Sequence, residues 1–119
     1  MINKEHNKFV KRKIESVNFI FEQLFETLTD PEKNTYGKSE VIKLFEIYST
    51  LGSIELFCFT HEDFERFNDE YVEDARKFYY NVYKMIETDD TNTSWLYDEY
   101  DDYKKAYDMT IETLSLIED

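Results

Sequence analysis

The chain has 119 residues, with 27 Asp and Glu against 14 Lys and Arg for a net charge of −13, and its size is that of one domain, 1–119, with a single hydrophobic core. Two glycines, Gly37 and Gly52, cannot build a phosphate-cradling loop or a dinucleotide fingerprint, and the lone Cys58 excludes an internal disulfide. The negative field disfavours nucleic acid and anionic membranes as direct partners, the start MINKEHNKFVKRK is too polar for a signal peptide, and no apolar run approaches a membrane span, so with its single cysteine the chain is expected in a reducing cytoplasm.

Hydrophobic spacing predicts an all-α fold. In residues 5–29, Val10, Ile14, Val17, Phe21, Leu24 and Leu28 step by four and three, lining one face of a helix that Asp30-Pro31 ends. Residues 39–51 form a second helix, with Ser39 as N-cap and Gly52 just past its end. Apolar over most of its circumference, it is expected to be the most buried element. The run SIELFCF at 53–59 alternates like a strand, but no second strand is available to pair with it, and a short extra helical turn is the expected form. Thr60 then reads as an N-cap, with Asp63 completing a variant capping box, for a helix over 61–87 striped by Phe64, Phe67, Tyr71, Ala75, Phe78, Val82 and Ile86. After the polar loop TDDTNT, Ser94 caps a last helix over 95–117 whose stripe is Leu96, Tyr100, Tyr103, Tyr107, Ile111, Leu114 and Ile117. Four main helices with short connections make a single-domain up-and-down bundle.

Catalytic chemistry finds no foothold, and no cofactor or metal is expected. Asp90, Asn92, Ser94, Asp98 and Asp101 have calcium-loop spacing, but Trp95 stands where the sharp turn requires glycine. No Glu-x-x-His motif is present for a di-iron site, and neither His6 nor His61 is followed by ligands at zinc spacing, so capping or surface roles are expected for both. Cys58, within an apolar run, reads as a core thiol, and core packing is expected to absorb about four in five of the ten tyrosines and ten phenylalanines.

Charge is unevenly placed: nine acids and eight bases in 1–60, eighteen and six in 61–119. Acids at the start of the third helix and bases towards its end suit the helix macrodipole. Lys8, Lys11, Arg12 and Lys13 crowd the positive end of the first helix, and an antiparallel bundle would set them against Glu112, Glu118 and Asp119 at the negative end of the last. Asp98, Glu99, Asp101 and Asp102, with Asp89 and Asp90 in the loop, have no such internal explanation. Four acids in residues 98–102 amount to about one charge per 1.9 Å of helix axis, against about one per 1.7 Å for duplex DNA. Asp98, Asp101 and Asp102 share a face, and Glu99 points elsewhere. Three large residues fall outside the predicted stripes: Phe19 opposite that of the first helix, Trp95 and Met109 at the margin of the last.

These residues, together with Tyr97, make the candidate partner-binding set. In composition the chain resembles small phage-encoded anti-restriction and anti-CRISPR proteins. That resemblance implies a non-enzymatic inhibitor whose acidic, aromatic-rich helix occupies the basic nucleic-acid-binding surface of a nuclease or related enzyme by DNA mimicry. Two other readings are an immunity or antitoxin protein that neutralises a basic nuclease, and a helical oligomerisation module in which Phe19 and the aromatic margin bury against another copy as a homodimer.

Overall fold

A computed structural model describes residues 3–32, 35–90 and 92–118, with side chains described through Leu116. Helix α1 spans Lys4–Leu28, α2 Lys38–Thr60, α3 Glu73–Thr88 and α4 Leu96–Glu118; a 3-10 turn (Glu62–Phe64) and a π-helical turn (Asn68–Val72) join α2 to α3. Successive helices run antiparallel and α4 closes against α1, giving an all-α up-and-down bundle about 49 Å long. Among the described residues there is no strand, and no helix is long and apolar enough to cross a membrane.

Local chemistry sets the ends of α1 as its sequence suggests. Asn3 Oδ1 accepts from the N–H groups of Glu5 and His6 at 2.8 and 3.3 Å, and at the far end the Thr29 hydroxyl donates to Phe25 O at 2.7 Å before Pro31. The predicted 39–51 helix and separate 53–59 turn are instead one helix of 23 residues. Buried Leu44, Ile47, Leu51, Ile54 and Cys58 continue the three-and-four step straight through Gly52, and their shared burial outweighs the local cost of one glycine. The cap is also different: Gly37 is the N-cap, and Glu40 accepts its N–H at 3.0 Å, leaving Ser39 inside the helix. Thr60 is not the next N-cap. It ends α2, and its hydroxyl donates back to Leu56 O at 2.9 Å.

The expected helix over 61–87 is broken at its start. Its π turn admits one extra residue, so that Tyr71 and Val72 both face inward and the stripe resumes in register at Ala75 and Phe78. α4 begins at Leu96, with Ser94 in the preceding turn and its hydroxyl donating to Asn92 Oδ1 at 2.9 Å. His61, at the end of α2, stacks on Phe57 at 3.9 Å and meets His6 edge-on at 4.7 Å.

Aromatic rings fill the centre. Phe21 of α1, Phe78 of α3 and Tyr103 of α4 lie 4.7 to 5.4 Å apart, and the Tyr103 hydroxyl is 3.0 Å from that of Tyr71. Burial raises both phenols above the usual value, and burial likewise pushes the Cys58 thiol up to about 11, in keeping with a core thiol. Two expectations about the core fail. Eight aromatics, Phe9, Phe19, Phe45, Tyr48, Phe59, Tyr80, Tyr83 and Tyr97, are exposed, and α2, far from being the most buried element, carries an outward row of apolar side chains. A helix apolar all round needs neighbours all round, and a four-membered ring of helices covers only its inner side.

Candidate protein-binding face

Antiparallel pairing of α1 with α4 brings carboxylates of both helices to one seam. The register is fixed at one end by Asn7, whose buried amide donates to Leu114 O at 3.0 Å, and at the other by Phe25, whose ring stacks on Tyr100 at 4.0 Å. Tyr97, half exposed, meets Phe25 edge-on at 5.3 Å, so an aromatic edge runs along the seam. Around it stand carboxylates from both helices. Burial first, then Glu22, Asp101, Asp108 and Glu26, push the Tyr100 phenol up to about 12; burial, Glu15, Glu22 and Asp108 raise that of Tyr107. Lys104 lies among them, 3.3 Å from Glu22 and 4.6 Å from the centre of the Tyr107 ring.

The acids at the start of α4 are thereby divided. Asp98, Asp101 and Asp102 are exposed, whereas Glu99 is half-buried, and none of the four forms an ion pair among the described residues. Lys105, four residues after Asp101 and three after Asp102, is a cation on that outer side. Asp101 and Asp108 turn towards α1 and its glutamates. Glu99 and Asp102 instead line a cleft of about 470 Å³ between α3 and α4, which Lys77, Lys105 and Arg66 also line, so that flank is mixed in charge.

The other expected residues are scattered. Met109 is exposed and borders the same mixed cleft, whereas Phe19 projects from the outer face of α1, in the row of Glu15, Glu22 and Glu26. Trp95 is half-buried and packs on the core. Asp89 is engaged inside the molecule: it takes the left-handed conformation (φ 52°) that terminates α3, and its Oδ1 accepts from the Tyr36 N–H at 3.2 Å. Asp90 Oδ1 accepts from the Asn92 N–H at 2.9 Å in a local turn. The start of α1 does lie beside the end of α4, but no ion pair joins Lys8, Arg12 or Lys13 to Glu112; the Glu118 side chain and Asp119 lie outside the described residues. Glu22, Phe25 and Asp108 were not singled out by sequence, and the signal for them was the α1–α4 register itself, since each is unremarkable on its own helix.

Among the described residues no three His, Cys, Asp or Glu side chains are grouped to hold a metal ion. Comparison with protein-family models, curated proteins and solved structures found no match.

Proposed function

We propose that this protein is a non-enzymatic inhibitor that covers a basic, nucleic-acid-binding surface of a target enzyme with its acidic, aromatic α1–α4 face. The observation that carries this reading is that Asp98 and Asp101 are exposed and unpaired beside a seam where Glu22, Glu26 and Asp108 add to the same field, with exposed, unpaired Asp102 on the adjoining flank. Lys104 offsets only part of it. Unpaired carboxylates on a helix attract Lys and Arg side chains arranged for phosphates, and their field speeds encounter. Tyr97 and Phe25 supply apolar contact where the charges meet their partners, and Phe19 lies on the same side of α1.

The test is affinity capture from bacterial extract, comparing the native chain with an Asp98→Asn, Asp101→Asn, Asp102→Asn variant. A nuclease or other nucleic-acid-binding enzyme should be held at low salt and released as screening shortens towards about 3 Å near 1 M. The variant should lose that capture while keeping its helical content. Equal capture by the variant would refute the assignment of this face.

A further inference from the structure

The outward row on α2 is a surface of a different kind. Val41, Phe45, Tyr48, Leu56 and Phe59 are each 54 to 77% exposed and, with Gly52 between them, follow one line along the helix for about 27 Å. From the areas such side chains present, the five expose on the order of 700 Å², close to the roughly 800 Å² per partner of a standard stable interface. Charge is sparse here. Between Val41 and Phe59 the helix carries only Lys43, Glu46 and Glu55; Lys43 is hydrogen-bonded to Ser39, and Glu55 is paired with Arg76 at 3.1 Å. The neighbouring segment adds Glu65, Asp69, Glu73 and Arg76 beside Leu56 and Phe59, and Glu87 beside Phe45 and Tyr48, so the apolar row is edged by charge but not interrupted by it.

Gly52 supplies the second observation. It sits in the middle of a 23-residue helix, where glycine is the poorest residue after proline. Nothing in its own chain calls for it: its φ is not positive, and a Cβ built there meets no atom within 4 Å. A glycine in that position suits the close approach of another helix from outside. The row is also symmetric about it. Phe45 and Phe59 lie seven residues on either side, Tyr48 and Leu56 four on either side. A two-fold axis through Gly52 therefore sets Phe45 of one copy against Phe59 of the other and Tyr48 against Leu56, a self-complementary contact. The flanks are mixed in charge, with Lys38 and Glu87 towards the Val41 end and Glu65, Asp69, Glu73 and Arg76 towards Phe59, so the symmetric apolar row is what carries the contact.

We infer that the protein is a homodimer in which two α2 helices cross antiparallel at Gly52. This does not depend on the inhibitor reading, since the acidic seam lies on α1 and α4. Sedimentation equilibrium at about 100 µM should give twice the 14.5 kDa chain mass, and the Asp98→Asn, Asp101→Asn, Asp102→Asn variant should remain dimeric. Gly52→Leu, at a position where a Cβ meets no atom within 4 Å, and Phe45→Glu, at an exposed site, should each weaken the dimer at least about tenfold with unchanged circular dichroism. Gly52→Cys should form an intermolecular disulfide under mild oxidation faster than Phe45→Cys does, because only position 52 faces itself across the axis. This cross-link keeps the test open even if Phe45→Glu perturbs folding. A 14.5 kDa species at that concentration, undiminished association of Gly52→Leu, or preferential cross-linking at position 45 would each overturn the proposal, and the first would assign the row to a foreign helix.

Discussion

Tyr71 and Tyr103 illustrate how a polar pair is carried inside an apolar bundle. Their hydroxyls are buried and 3.0 Å apart, so each satisfies the other. Tyr71→Phe should cost about 1–3 kcal/mol in urea denaturation, because it strands the Tyr103 hydroxyl, whereas the double Phe variant should recover most of that loss; equal losses in the single and double variants would refute the pairing. Sequence placed both residues on buried stripes but could not pair them, since their partnership depends on where the π turn before α3 meets α4. The same holds at Asp89. As one of several loop acids it was read for its charge alone; it is exposed, and it is also the left-handed terminus of α3 that holds the Tyr36 N–H. Asp tolerates that conformation better than most residues, so a carboxylate there has a backbone explanation.

Among the elements, α2 is where pattern reading and structure part most clearly. A glycine after a helical run ordinarily marks its end, and here the buried sequence Leu51, Ile54, Cys58 carries the helix past it. Because a Cβ at position 52 meets nothing within 4 Å, Gly52→Ala should raise monomer stability by about 0.5–1 kcal/mol, measured by thermal unfolding in a Phe45→Glu background that interrupts the exposed row. An unchanged or lower stability would mean the site is crowded after all. α1 and α4 were legible almost to the residue because their apolar stripes are narrow and their outer faces polar, so period and burial agree. On α2 both faces are apolar, and period alone could not tell the covered side from the bare one. The π turn before α3 was illegible for another reason: consecutive buried residues, Tyr71 and Val72, break the three-and-four rhythm only once tertiary packing demands it.

At the scale of the whole molecule, the acidic field and the aromatic core meet in the tyrosines. Tyr100, Tyr103 and Tyr71 all have phenols raised by burial, with Tyr100 at about 12. An acid whose folded value lies above its unfolded value keeps its full contribution below the unfolded value, near 10 for tyrosine, and loses it as pH rises through the folded one. The bundle should therefore hold its far-ultraviolet circular dichroism to about pH 10 and lose it towards pH 12, with the part of the 295 nm phenolate absorbance that a Tyr71→Phe, Tyr103→Phe variant lacks rising in step. That part appearing well before the helices melt would show that these two rings are open to water. The up-and-down order has a kinetic consequence as well. Three of the four helix seams join neighbours in sequence, and only the α1–α4 seam brings distant segments together. Chains dominated by such short-range contacts form in microseconds to milliseconds, and Trp95, five residues before Tyr100 and packed on the core, is placed to report the closing of that seam, Phe25 onto Tyr100, by a change in fluorescence.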